Sequence, residues 1–329
     1  METPRVYPSQ TGASLSGKVG DATDLQDGMG GPKPRLDLVI VGSASRDMTS
    51  DDARGWRLGG SATYCSLAAA RLGLRVGCVL GVDAAASTAD ELTWLEESGV
   101  DLRLILLARG PVFENIERNG HRRQHWLSEC DPIPADALPL EWGSVRGWLL
   151  APIAGELAGE WSRVPGPGAA IGIGWQGMLR EFADDGWVER VRPQPSSLLE
   201  AAGLVSASVD DLPATTALPS LRKLAPLATI VLTAGLRGGL VIRKSGMARY
   251  PAIPAPEVVD PTGAGDVLLA ALMVGWLLHG ELATSRSLRF AAAAASCAVE
   301  GMGLAAVPTS DQVAARLGEV AGAAQSDPA

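Results

Sequence analysis

Val258-Val259-Asp260-Pro261-Thr262-Gly263-Ala264-Gly265-Asp266 joins a short β-branched run to an apolar segment, Val267 to His279, that reads as a buried helix closed by Gly280. The two glycines at the junction allow a sharp turn and leave room for a ligand to approach the main chain. The first amides of such a helix lack partners within it and lie at the positive end of its dipole, so they form an anion site. Asp266 falls in the first turn, where a carboxylate is stabilised. Read alone, the stretch also fits an ordinary strand–turn–helix junction with a capping aspartate. An anion cradle beside a carboxylate suits a more particular task. It can hold a transferring phosphoryl group while the carboxylate takes a proton from the attacking hydroxyl.

Composition sets the frame around this stretch. A chain of 329 residues with 47% hydrophobic content can bury a large core, as one large α/β domain or two smaller ones. The net charge of −9 contains no block of like charge, which argues against a nucleic-acid partner but not against a nucleotide site. Cys65, Cys78, Cys130 and Cys297 are widely spaced and form no C-x-x-C pair, which fits free thiols in a reducing cytoplasm. The longest apolar run, Val267 to Leu278, is too short to cross a bilayer. The expectation is a soluble cytoplasmic protein with neither a membrane nor a nucleic-acid partner.

In chain order, residues 1–35 lack hydrophobic periodicity and read as a disordered tail. Leu36 to Gly42 reads as a first buried strand. Asp47 follows near the strand's carboxyl end, where open parallel sheets bind ligands, although a surface turn would also use an aspartate. Gly59-Gly60 opens an Ala-rich helix that stops at Gly73. Leu102–Leu107, Val112–Arg118 and His121–Leu127, with a hairpin turn at Asn119-Gly120, interrupt the β/α alternation. With the piece Gly55–Leu58 they suggest a small sheet standing off the main body. His121 and His125 would lie on one strand face about 13 Å apart, too far to share a metal ion.

The α/β rhythm resumes at Trp148, whose strand leads to Glu156, and again at Ala170–Gly174, which leads to Gln176. Leu204–Ser208 runs into Asp210 and Asp211, where Ser208 or Asp210 could simply cap a helix. Thr229–Ile242 is a strand, a turn through Gly235 and Gly238, and a second strand. Gly166-Pro167-Gly168 and Gly172-Ile173-Gly174 lack the strand, G-x-G-x-x-G, helix context of a dinucleotide site, so a dehydrogenase is set aside.

The whole string Asp260 to Asp266 resembles the C-terminal signature of the ribokinase-like (PfkB) carbohydrate kinases. The double glycine Gly59-Gly60 with its Ala-rich helix resembles their N-terminal signature, and Gln176-Gly177-x-x-Arg180 is similar to a subgroup that includes inositol kinases. The resemblance spans about residues 36–310. It implies a three-layer α/β/α sandwich with a mostly parallel central sheet and a small β lid from segments near 47–58 and 102–127, followed by a C-terminal helix and loose tail over 311–329.

The same resemblance implies roles. Asp266 would be the catalytic base and Gly263, Ala264 and Gly265 the anion hole. Asp47, Gly59, Gly60, Tyr64, Glu156 and Gln176 would hold a small polyhydroxylated substrate. Thr233, Gly235, Gly238 and Thr262 would meet ATP, and Asp211 would meet Mg²⁺ through water. A monovalent cation near Asp260 and a homodimer contact through the lid would follow the family's habit. Tyr64 stands where the family often has an asparagine and offers a ring face with one hydroxyl, favouring a sugar or cyclitol first and a nucleoside second. A catalytically silent ligand-binding regulator is the non-enzymatic alternative.

Overall fold

Along Leu38-Val39-Ile40-Val41, Leu38 and Ile40 face one hydrophobic core while Val39 and Val41 face another, as the two-residue strand period requires. Strand β1 (Leu38–Ser43) therefore lies buried between two layers. The computed structural model describes residues 35–118 and 121–326. After β1 come β2 (Ser45–Met48), β3 (Trp56–Gly59), α1 (Ser61–Arg71), β4 (Val76–Val82), α2 (Glu91–Glu97) and β5 (Asp101–Leu106). There follow β6 (Val112–Arg118), β7 (His121–Ser128), β8 (Gly147–Leu150), β9 (Ala170–Gly174), β10 (Arg180–Phe182) and β11 (Val188–Arg190). The remainder comprises α3 (Ser197–Ala201), β12 (Leu204–Ser208), β13 (Thr229–Thr233), β14 (Gly239–Arg243), β15 (Gly246–Tyr250), α4 (Ala264–His279), α5 (Ser285–Ala298) and α6 (Ser310–Ser326).

The main sheet has nine strands in the order β15-β14-β13-β12-β9-β8-β1-β4-β5. Only the pairings that involve β14 and β15 are antiparallel. A second sheet, β3-β2-β6-β7, forms the lid, and β10 with β11 makes a separate hairpin. The α/β sandwich, the mostly parallel sheet and the small lid are thus as the sequence leads one to expect.

One expectation is corrected. Leu102–Leu107 was expected in the lid, but β5 pairs in parallel with β4 at the edge of the main sheet. The reason is the intervening α2, which makes β4-α2-β5 a crossover unit rather than a hairpin. The run Val258-Val259 does not form a strand. Pro251, Pro254, Pro256 and Pro261 deny this segment ladder donors, and it docks instead through the Val259 amide on the Val299 carbonyl at 2.8 Å. The tail expected over residues 1–35, apart from Arg35, and the Asn119-Gly120 turn lie outside the described residues.

One core lies under α1, α4 and α5, whose Ala62, Ala68, Ala270, Ala271, Ala291 and Ala293 let the helices approach closely. On the other face the described residues form only the five-residue α3 and short 3₁₀ turns, and the bulk of Trp148, Trp161 and Trp175, all fully buried, fills the space. Burying each large apolar side chain contributes about 1.5–3 kcal/mol. Among the described residues no helix is long and apolar enough to cross a membrane. The loops after β1, β9, β12 and β13 all leave the same edge of the sheet, the carboxyl edge, where ligands bind in parallel sheets.

Candidate active site

A cavity of about 1350 Å³ opens at that edge, between the lid, the β10–β11 hairpin and the amino end of α4. Gly263 begins α4 in the left-handed conformation, φ 79°, with no side chain capping the helix. That conformation is strained for any residue with a Cβ. The Ala264 amide makes a long contact to the Pro261 carbonyl at 3.3 Å. A Cβ placed on Gly265 would meet nothing within 4 Å, so this glycine opens onto free space at the positive end of the helix. Behind the turn, Asp260 accepts the Thr262 amide at 2.9 Å and the Gly303 amide at 3.4 Å. The guanidinium of Arg57, from lid strand β3, lies 3.9 Å from the same carboxylate.

Asp266 lines the cavity from the first turn of α4. Ser61, the first residue of α1 and 205 positions earlier in the chain, donates its hydroxyl to Asp266 Oδ1. Burial pushes the Asp266 pKa up to about 6, while the Ser61 hydrogen bond and the positive charge of Arg180 draw it down and Asp211 raises it. The carboxyl group is therefore poised near neutrality, in a range suited to proton transfer.

The structure brings Asp47, Gly60, Tyr64, Gln176, Asp211, Thr233, Gly235, Gly238, Thr262, Gly263, Ala264, Gly265 and Asp266 onto this one cavity. Asp47 accepts the Ser45 hydroxyl at 2.8 Å. Asp211 accepts the Ser208 amide at 3.0 Å and the Gln176 side-chain amide at 3.3 Å. Ser208, one of the two capping residues foreseen, accepts the Asp210 amide and completes a capping box with Asp211.

Three assignments change. Glu156 does not line the cavity; it is fully buried, and its carboxylate accepts the amides of Ser43, Ile153 and Ala154. Its loop folds inward because three converging amides can replace the lost water. Gly59 is likewise set back; a Cβ there would collide with the Asp47 carboxylate, so Gly59 makes room for that side chain. Tyr64 does not present an open ring face. It is 4% exposed and packs on Gly263, where a Cβ would come within 2.7 Å of its Cγ. Burial and the charges of Asp47 and Asp260 push its phenol pKa up, so it remains neutral.

Several cavity residues escaped the sequence reading. Ser61 was signalled by its place at the first helical position after the double glycine. Tyr250 lines the cavity with a buried hydroxyl that lacks a protein partner. Arg123 and Arg190 line it from the lid and from the hairpin, whose three-residue strands are too short to leave a pattern, and they are joined there by Arg180 of the Gln176-Gly177-x-x-Arg180 stretch.

Residues 192–311 match the pfkB family carbohydrate kinase. The nucleoside kinase of Methanothermobacter thermautotrophicus is 28% identical over 272 residues, covering 74% of this chain and 79% of that protein. A pyrophosphate-dependent kinase in the ribokinase family, complexed with a pyrophosphate analog and myo-inositol, superposes with a TM-score of 0.66 at 17% identity, covering 84% of this chain and 99% of the other. The Arabidopsis thaliana ribokinase complexed with ribose and ATP gives 0.62 at 19% identity, over 86% and 99%. These likenesses give the chain the fold of the ribokinase family, and over residues 192–311 it is similar to the pfkB family carbohydrate kinases.

Proposed function

We propose that this protein transfers the γ-phosphoryl group of ATP to a hydroxyl of a sugar or cyclitol, with Asp266 as the base. One observation carries this reading: a carboxyl group of raised pKa, fixed by Ser61, shares a cavity with an uncapped helix amino end. Asp266 orients the acceptor hydroxyl and takes its proton. The acceptor oxygen bonds to the γ-phosphorus as the bond to the bridging oxygen breaks, and ADP leaves. Charge developing on the equatorial oxygens meets the amides of the Gly263–Gly265 turn.

ATP suits the cavity on two counts. Gly265 leaves room for a phosphate, and Ile253, Val258, Leu268, Ala292 and Val299 give the same cavity an apolar lining that suits a base, a feature that pyrophosphate would not need. Mg²⁺ bound with the nucleotide would neutralise phosphate charge, with Asp211 reaching it through water. Asp47, Gly60 and Gln176 would hold the acceptor, and Thr233, Gly235, Gly238 and Thr262 the nucleotide. A lid-mediated homodimer belongs to the same proposal and is checked by sedimentation.

A nucleoside acceptor is the second reading, favoured by the likeness to a nucleoside kinase. ADP release across myo-inositol, ribose, fructose, 2-keto-3-deoxygluconate, cytidine, adenosine and inosine separates the two, with pyrophosphate run as an alternative donor. Binding without turnover on every acceptor would instead point to a silent regulator.

A further inference from the structure

The apolar lining of the cavity comes from two segments: Ala252, Ile253 and Val258 of the loop before α4, and Ala292, Ala295 and Val299 of α5 and its end. The loop has no ladder to hold it, since Pro251, Pro254 and Pro256 interrupt it and no strand forms there. Hydrogen bonds tie it to α5 at two points. The Val259 amide donates to the Val299 carbonyl at 2.8 Å, and the Ser296 hydroxyl donates to the Pro254 carbonyl at 3.0 Å. Ser296 is itself buried and borders the cavity.

A serine within a helix commonly turns its hydroxyl proton back to the carbonyl four residues earlier. Ser296 is directed elsewhere by Arg316 of α6, a residue 8% exposed that lies outside the cavity lining. Arg316 Nη1 donates to Ser296 Oγ at 2.6 Å. A guanidinium can only donate, so the hydroxyl accepts there and its proton is left for Pro254. The positive charge also polarises the hydroxyl and strengthens that second bond. Arg316 is held in turn: Nη2 donates to Glu300 at 2.6 Å and Nε to Glu319 at 3.1 Å. Glu300 directly follows Val299, so one guanidinium serves both points where the loop meets α5.

We infer that Arg316 is a positioning residue for the nucleotide: by directing the Ser296 hydroxyl it sets the distance between the proline-rich loop and α5, and with it the fit of the base between them. The inference rests on the ATP reading above and extends it to a residue that touches neither substrate. A gap of about 0.5–1 Å already forfeits a quarter to a half of each van der Waals contact. A loop free to drift therefore weakens ATP binding without disturbing Asp266. Arg316 also fastens α6 to α5, so the decisive readout is ATP affinity rather than stability.

Titration calorimetry of the full chain with ATP and Mg²⁺ reads the effect without turnover. Arg316→Met and Ser296→Ala should each weaken ATP binding about tenfold, the lower end for a lost hydrogen bond to a charged group. The double variant should bind no more weakly than Arg316→Met, because both act through one contact. On the acceptor that the wild type uses, kcat at saturating ATP and the acceptor KM should stay within about twofold. Glu319→Gln, which removes an exposed partner of Arg316 within α6, should leave ATP binding unchanged. Ser296→Ala keeps the Arg316–Glu300 pair and carries the test if Arg316→Met does not fold.

A lower melting temperature with ATP affinity unchanged in these variants overturns the inference and leaves the kinase reading standing, since Arg316 would then only dock α6. A double variant about a hundredfold weaker than the wild type also overturns it, because Ser296 would then meet the base independently of Arg316. So does a loss of kcat and acceptor affinity alongside ATP affinity, which would mean that the whole site is disturbed. Weakened ATP binding in both single variants, with no acceptor phosphorylated by the wild type, upholds the positioning role and fails the kinase reading. If the wild type binds no ATP, both fall.

Discussion

The ring of Tyr64 rests on Gly263, so the residue that begins α4 is constrained both by its left-handed backbone and by an aromatic side chain of α1. Two residues on, Gly265 faces open space. The two glycines should therefore fail differently. Gly263→Ala places a Cβ into Tyr64 at a positive φ and should cost about 1–3 kcal/mol or more, seen as a lower melting temperature. Gly265→Ala has room in the protein alone and should melt no lower than the wild type. Its methyl group would occupy phosphate space, so kcat/KM for ATP should fall about a hundredfold. If Gly265→Ala keeps full activity, that space does not receive the phosphate.

Glu156 makes the converse case. Its buried carboxylate ties the end of β1, through the Ser43 amide, to the Ile153–Ala154 loop. Burial raises its pKa, while the amides hold it down. In Glu156→Gln an NH₂ group would confront amide donors, which should cost about 2–4 kcal/mol. The melting temperature should fall by several degrees, and the folded fraction should keep its acceptor KM within severalfold. Loss of acceptor binding with unchanged melting would return Glu156 to the substrate site.

Asp260 already faces a resident cation. Arg57 lies 3.9 Å away, and the carboxylate also anchors the Thr262 and Gly303 amides. Exchanging K⁺ for Na⁺ should therefore change wild-type turnover by less than about twofold. Arg57→Met removes roughly 1 kcal/mol of attraction at Asp260 and should make activity respond to K⁺. Strong K⁺ activation of the wild type would refute this arrangement.

The parts of the site visible in the sequence were those whose chemistry is local. Gly263 and Gly265 flank the start of a helix, and Asp266 sits in its first turn, so cradle and carboxylate follow from adjacent residues. What lay hidden depends on residues far apart in sequence. Ser61 reaches Asp266 only because α1 packs on α4, and Arg190 reaches the cavity through a three-residue strand. Glu156 has the composition of a ligand residue, and only the convergence of three amides reveals it as a staple. The place of strand β5 is not legible in the sequence because parallel and antiparallel pairing look alike until the crossover helix is recognised. From the sequence Tyr64 reads as an open face because nothing local shows that Gly263 covers it.

Asp266 joins function to stability, and one variant separates them. Asp266→Asn keeps the shape of the side chain but cannot accept the acceptor's proton, so kcat should fall about 10²–10⁴-fold with the ATP KM little changed. For the wild type, activity should decline as pH falls through about 6, where Asp266 takes up a proton. The stability effect has the opposite sense. Well below pH 3.8 the carboxyl group is protonated in both folded and unfolded chains. As pH rises from the ordinary 3.8 to about 6, the unfolded chain ionises first, and folding stability falls by roughly 3 kcal/mol from this group. Asparagine never ionises, so Asp266→Asn should melt above the wild type at pH 8, and the gap should close near pH 4. Paired melting curves at the two pH values check this. A variant that loses turnover and also melts lower at pH 8 would mean that the ionised carboxylate supports the fold, and the raised pKa assigned to the base would be wrong.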